Sequence, residues 1–501
     1  MLGEFKRFVV GTPVSRARLG ETLLPKRIAL PVFCSDPISS VAYATEQIVL
    51  VLAVGGAALL SLSAPVAAAV AVLLIVVVAS YRQTVYAYPN GGGAFVVSRD
   101  NLGETASLVA GSALLVDYVM TVAVSVTSGV VAVTSAVRSL APYAAVIAAV
   151  VVVALAVVNL RGVRESGRVF AAPTYLFIAL TYLMFAFAAV RASAGTLPPA
   201  ESASMPAEQT VALGGVATAV LLLRAFASGC TALTGVEAIS NGVPAFRPPK
   251  PRNAAATLVA MGVIAVTLFA GITVLAVALA ARAEPDGNPS VISQLAASSF
   301  GAGSPLYYLY QAATAGILVL AANTAFNGFP MLASLLGREG YLPRQLANRG
   351  DRLVFSNGIL LLGVVAAVLI LAVDANLETL LHLYILGVFT SFTLSQAGMV
   401  RYWNRRIAEN GPAGTGRMRR AQLVNLAGAV LTGVVLVVVF ATKVLEGAWV
   451  AVLASPLSKN LWWRPLLATL TLGFGVSAGC LLFGGFLAWL VVLTDVPARN
   501  F

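Results

Sequence analysis

Apolar runs of about 20 residues, the length of a helix that crosses a bilayer, recur along the whole chain with short polar segments between them. They mark spans at 28–54, 64–82, 105–137, 141–158, 169–191, 211–242, 254–281, 305–337, 354–373, 376–401, 421–442 and 466–493, with a short apolar piece at 446–454. Two of the spans are interrupted. Cys34-Ser35-Asp36-Pro37-Ile38-Ser39-Ser40 and Cys230-Thr231-Ala232-Leu233-Thr234-Gly235-Val236-Glu237 each set a carboxylate beside a helix breaker in apolar surroundings. Pro and Gly free backbone groups from the helix ladder, and lipid tolerates that only where those groups face protein or a water-filled cavity. Paired interruptions at corresponding places in two halves of a chain point to the substrate site of a transporter.

The halves are spans one to five and six to ten. Placing Tyr43-Ala44-Thr45-Glu46-Gln47-Ile48 over Thr234-Gly235-Val236-Glu237-Ala238-Ile239 aligns Glu46 with Glu237 at a constant offset of 191. Five spans per half make the second half start from the opposite side of the membrane, an inverted repeat. The predicted fold is an all-α polytopic membrane protein of the five-plus-five inverted-repeat kind with two extra helices, about 12 transmembrane helices in all, spans one and six being discontinuous. Its parts are a cytoplasmic N-terminal tail (1–27), a transport core (28–401, halves 28–191 and 211–401), a cytoplasmic linker (402–420) and C-terminal helices (421–501). Connections 192–210 and 282–304 read as polar outside loops, and 404–420, rich in Arg and Gly, as flexible.

Composition agrees: 59% of residues are hydrophobic and 10% charged, against roughly 25% charged in soluble domains. The net charge of +12 raises the question of nucleic acid, but its placement answers it. Of 32 Lys and Arg, 24 lie in the N-terminal tail and the even-numbered connections, and four in the odd-numbered ones. That asymmetry is the positive-inside rule. It sets the N-terminus in the cytoplasm of a protein of the cell membrane and leaves nucleic acid without a role. Cys34, Cys230 and Cys480 lie in apolar stretches, which offers neither a disulfide framework nor a metal site. No P-loop, metal-ligand cluster or nucleophile-with-base arrangement is present, so neither an enzyme nor a cofactor is expected. After span two, Tyr86-Ala87-Tyr88-Pro89-Asn90-Gly91-Gly92-Gly93 reads either as an inner gate element packed on the core or as a plain tight loop.

Ionisable residues inside spans cost about 2.5–3.5 kcal/mol each at the bilayer centre and mark pathways by default. Here they are Asp36, Glu46, Asp117, Arg224, Glu237 and His382. Asp117, Thr121 and Ser125 recur every four residues and stack on one helical face. The two hydroxyls serve either the cargo or interhelical hydrogen bonds. A dehydrated monovalent cation needs oxygens in place of its water shell. Asp36, Tyr43, Asp117, Thr121, Ser125, Thr234 and the carbonyls freed at the breaks offer them. Glu237 sits among Val236, Ala238 and Ile239 and is the candidate proton site. An apolar setting favours a neutral carboxyl and a neighbouring cation its anion, as exchange of proton for cation requires. Glu46 reads as a second relay or as a partner of backbone or hydroxyl groups, Arg224 as a partner of a carboxylate, and His382 as a relay near the outer end of span ten; packing is the plainer role for each.

Ser35-Asp36-Pro37-Ile38-Ser39-Ser40-Val41-Ala42-Tyr43, the Tyr-Pro-Asn-Gly-Gly-Gly loop and Ala225-Phe226-Ala227-Ser228-Gly229-Cys230 through Glu237 together resemble the amino acid–polyamine–organocation superfamily. Within it they look most like the KUP-type branch with the KimA-type potassium importers, over roughly residues 25 to 455. The resemblance implies an APC/LeuT-like fold and potassium uptake coupled to protons. The positions matching the family's ion-binding residues are Asp36, Tyr43, Asp117, Tyr118, Thr121, Ser125, Thr234, Glu237 and, in span ten, Tyr384. The expected partners are a small solute, protons and membrane lipid, and the resemblance leaves room for a homodimer. The alternative cargo is an amino acid, or a cationic amine or polyamine. Amino-acid carriers hold the substrate carboxylate with bared amides of a broken helix. Asp36-Pro37 instead supplies an anion beside a residue without an amide hydrogen, which favours a cation.

Overall fold

The computed structural model describes residues 23–91, 93–161, 167–205, 215–284, 287–348, 355–410 and 415–443. Most of the expected N-terminal tail, the piece 446–454 and the span 466–493 lie outside them. The first span is α1 (Lys26–Ser39) with α2 (Val41–Ala53), and the second is α3 (Ser63–Ala87). A short helix, α4 (Ala94–Leu102), precedes α5 (Glu104–Ala136), α6 (Ala144–Leu160) and α7 (Gly167–Ser193). The second half repeats the order with α8 (Gly215–Gly229), α9 (Ala238–Asn241), α10 (Lys250–Ala278), short α11 (Val291–Phe300), α12 (Pro305–Arg338), α13 (Ser356–Ala372) and α14 (Leu377–Asn410). α15 (Thr415–Lys443) follows. Among the described residues, nine segments are long and apolar enough to cross a membrane; the broken first span and the 17-residue α13 account for two more of the expected spans.

The second half is upside down relative to the first. Leu24 and Phe246 form a bridge: Leu24 N–H donates to the Ala245 carbonyl (2.8 Å), and Arg247 N–H donates to the Leu24 carbonyl (3.1 Å). The start of the first span and the end of the sixth therefore share one side of the bundle, the N-terminal face. Along the crossing, Phe33 meets Gly242, Asp36 meets Gly235 and Ile48 meets Gly229, so one segment rises as the other falls. Glycine makes this closeness possible. A Cβ at Gly229 would lie 2.6 Å from the Ile48 Cγ1, and one at Gly242 would run into the Phe33 ring.

Two expectations are corrected. The connection 282–304, read as a polar loop, contains α11, whose Val291, Ile292, Leu295 and Ala296 are buried. These residues fall at helical spacing, and Ser290 caps the helix by accepting the Ser293 N–H. The segment 404–420, read as flexible, is helical on both sides, since α14 runs on to Asn410 and α15 begins at Thr415. Its Arg, Ala, Glu and Met residues are good helix formers.

Gly229→Val should destabilise the protein by about 1–3 kcal/mol through overpacking, read as a lower melting temperature in detergent. Adding Ile48→Ala should return part of the loss, because the two side chains compete for one space.

Candidate functional site

The two breaks differ. Pro37 lacks an N–H and so leaves the helix ladder short of one donor, yet only Ser40 departs from helical order between α1 and α2. The Asp36 carbonyl accepts from the Ser40 N–H (3.0 Å), the Ser39 Oγ (2.9 Å) and the Ser40 Oγ (2.9 Å). That carbonyl, expected to face cargo, is taken by its own serines. The second break is wider. After α8 come one tight turn (Cys230–Leu233), an extended Thr234 and Gly235 at φ +74°, with Glu237 opening α9. A Cβ on Gly235 would stand 2.5 Å from the Asp36 Oδ2. Glycine is required there twice over, by the left-handed backbone and by the carboxyl pressed against it.

Side chains stitch the breaks together. The Ser40 Oγ and Thr234 Oγ1 are 2.5 Å apart, the Tyr43 hydroxyl donates to the Ser40 Oγ (3.1 Å), and the Thr234 Oγ1 donates to the Thr231 carbonyl (3.0 Å). From α5, Asp117, Thr121 and Ser125 are all buried. The Thr121 Oγ1 lies 2.9 Å from the Tyr384 hydroxyl of α14. Gly387 lets α14 come this close, because a Cβ there would be 3.2 Å from the Ala113 carbonyl.

Three acids meet at the centre. Asp36, Asp117 and Glu237 are 5%, 2% and 3% exposed. The Asp117 and Glu237 side chains are within hydrogen-bonding reach of each other, and two carboxyl groups so joined need one proton between them. The ionisable groups acting on Asp36 and Asp117 are the other acids of the cluster. Asp36 Oδ1, Asp117 Oδ1, Glu237 Oε2 and Ser35 Oγ are buried without a hydrogen-bond partner. Such a set of facing acceptors suits a cation or protons.

Most of the expected site residues thus fall on the two breaks, the buried face of α5 and the adjoining stretch of α14. Tyr118 takes a different place: partly buried, it packs its ring against Gly328 of α12 and lies beside Asn241. Together with Asn90, Asn241 and Arg338 it lines a cavity of about 340 Å³ that reaches the N-terminal face. Gly91 and Gly93 border that cavity and abut Asn241, so the glycine loop lies against the second break. On the opposite side, the space beside Tyr43 and Glu46 is only about 10 Å³. The Glu46 Oε2 accepts the Val291 N–H (3.2 Å), a backbone partner, as one of its two expected roles required. Arg224 is half-buried on α8; His382 lies on α14 with its side chain outside the described set. Ser40 was not among the expected site residues. Its position one turn after Asp36, between a Pro and a Tyr, was the available signal.

A family model described as amino acid permease matches residues 29–474. The chain belongs to the amino acid permease family. The potassium transporter KimA of Bacillus subtilis (strain 168) is 45% identical to it over 444 residues, which are 88% of this chain and 71% of that protein. Among solved structures, it is similar to a manganese transporter of Eremococcus coleocola in complex with an aromatic bis-isothiourea substituted compound, at TM-score 0.48 and 10% identity over 93% of each chain. A mutant form of that transporter compares at TM-score 0.44 and 11% identity over 96% of this chain and 97% of the other. This is a multi-pass membrane transporter.

Gly235→Ala should be among the most damaging single-methyl additions, costing about 1–3 kcal/mol and with it transport. Ser40→Ala, which leaves Thr234 and Tyr43 without their shared partner, should cost about 1 kcal/mol. Thermal unfolding of the purified variants reads both, and an unchanged melting temperature for Gly235→Ala would contradict the packing described.

Proposed function

We propose that this protein is a secondary transporter, not an enzyme, that carries potassium inward together with protons. The observation that carries this reading is the buried cluster of Asp36, Asp117 and Glu237 with its unpartnered oxygens. In a lipid-enclosed bundle such a cluster marks an ion or proton pathway and suits a cationic cargo. The name of the 45% identical relative supports potassium as that cargo. Asp36 and Asp117 supply the charge of the cage. Tyr43, Thr121, Ser125, Thr234 and Tyr384 supply neutral oxygens in place of the ion's water shell, and Tyr118 stands at the inner mouth.

Glu237 is the proton carrier. A proton shared between Glu237 and Asp117 leaves the remaining oxygens of Asp117 and Asp36 to the cation and lowers the net charge of the loaded cluster. Asn241, one turn further along, borders the wide cavity, so the proton and the ion leave by the same side. That side is the cytoplasm, because the N-terminal face carries most of the arginines. An ammonium group would also suit these acids, and the family's description makes a cationic amine or amino acid the competing cargo.

Expression should rescue growth of an import-deficient bacterium at low potassium, and reconstituted protein should take up radiolabelled rubidium. No rescue despite membrane expression, with amino-acid uptake in liposomes, would refute the reading. Asp36→Asn and Asp117→Asn should each lower uptake by at least about tenfold, the effect of losing one charge-assisted contact. Glu237→Gln keeps the shape of the protonated acid and should still bind the ion but no longer move protons with it, as followed by a pH dye in liposomes. Cysteines placed at 404–410 should resist an impermeant thiol reagent in intact cells, whereas one at 195 should react; the reverse pattern would overturn the orientation.

A further inference from the structure

Glu46 is a buried acid that the cage does not use. It lies on α2 three residues beyond Tyr43, on the same helical face and on the outer side of it. It is 5% exposed, and its Oε2 holds the Val291 N–H at the start of α11. The same end of α11 is tied to α5, where the Ser290 N–H donates to the Ser135 Oγ (3.2 Å). The other end is held by Arg191 of α7, whose Nη1 donates to the carbonyls of Ser298 (2.9 Å) and Ser299 (3.1 Å). A carboxylate at the N-terminus and a guanidinium at the C-terminus match the helix dipole at both ends. α11 is thereby fastened across the outer side of the bundle.

Beneath the start of α11 is the small chamber of about 10 Å³, the size of one water-like occupant. Its wall includes Tyr43, Glu46, Ser128, Ser290 and Thr314. Ser128 is 6% exposed, and its buried hydroxyl has no hydrogen-bond partner although the residue belongs to the chamber wall. The Thr314 Oγ1 donates to the Tyr310 carbonyl (2.8 Å), which leaves its lone pairs available. Tyr43 stands between the two sites, for its hydroxyl donates to Ser40 inside the cage.

We propose that Glu46, Ser128 and Thr314 form an outer staging site for a single monovalent cation, beneath α11 and in series with the cage across Tyr43. The inference rests on the cation reading given above. A cation arriving there draws the Glu46 carboxylate toward itself and away from the Val291 N–H. Loading the outer site and loosening α11 are then the same event, and Tyr43 is the partition the ion passes next.

The test compares rubidium uptake kinetics with direct rubidium binding, in wild type and in Glu46→Gln, Glu46→Asp and Ser128→Ala. Glu46→Gln keeps an acceptor for Val291 but loses the charge. It should raise the KM for external rubidium by about tenfold, as loss of a charge-assisted contact does, while rubidium binding by the purified protein persists. Glu46→Asp should recover part of the affinity. Ser128→Ala removes an oxygen of the chamber without touching α11 and should raise KM in the same direction. A wild-type KM in Glu46→Gln would overturn the proposal. So would a normal KM in Ser128→Ala beside a raised one in Glu46→Gln, because Glu46 would then act only by holding α11. If the wild type itself carries amino acids and no rubidium, the cation reading fails and the staging site falls with it.

Discussion

Three buried carboxyl groups meet at the crossing of two broken helices, and the rest of the structure answers to that fact. Burying one uncompensated charge is expensive, and like charges close together add to the cost. Among the described residues, the ionisable groups acting on Asp36 and Asp117 are acids, and the neighbours supply hydroxyl groups rather than a neutralising base. In the proposed reading the balance comes from the cation and protons that the protein carries. A resident Lys or Arg would make the site stable and inert, whereas a cluster neutralised only by cargo changes its energy each time the cargo leaves. The same deficit is both the binding force and the reason for release.

The fold serves this deficit by placing the two breaks back to back. The first departs from helical order at a single residue and hands its carbonyl to Ser39 and Ser40. The second is unwound from Cys230 to Glu237 and leans on the first through Ser40 and Thr234. One break is a stiff post and the other a jointed segment, so motion between states is expected to concentrate in the second. The spaces on either side fit a single state of an alternating cycle: a cavity of about 340 Å³ on the N-terminal face, against about 10 Å³ beneath α11. The short helices α4 and α11 are counterparts in the two halves, and α11 lies over the closed side.

Much of this was legible in the sequence because lipid punishes exceptions. Asp36, Asp117 and Glu237 stood out since each is an acid in an apolar span, and Gly235 and Pro37 marked the breaks that hold two of them. The spacing of Asp117, Thr121 and Ser125 gave the buried face of α5. What escaped was set by pairing over distance. Nothing local to Val291–Phe300 reveals that a helix between two polar stretches will be buried against Glu46, 245 positions away. The narrowness of the first break also depends on partners: Pro37 withholds a donor from the ladder, but the Ser40 N–H and the hydroxyls of Ser39 and Ser40 hold the next carbonyl along, that of Asp36. Tyr118 follows Asp117 directly, yet one step along a helix turns a side chain by about 100°, and so its ring packs on α12 and lines the cavity of the N-terminal face.

The central claim is that the acids enclose the transported cation. Anomalous diffraction from rubidium-soaked crystals of the transport-competent protein tests it most directly. The expected result is a peak among Asp36, Asp117, Thr234 and Tyr384 that disappears in Asp117→Asn. A saturating soak that leaves this volume empty while the same protein still transports rubidium, or a peak that survives Asp117→Asn undiminished, would contradict it.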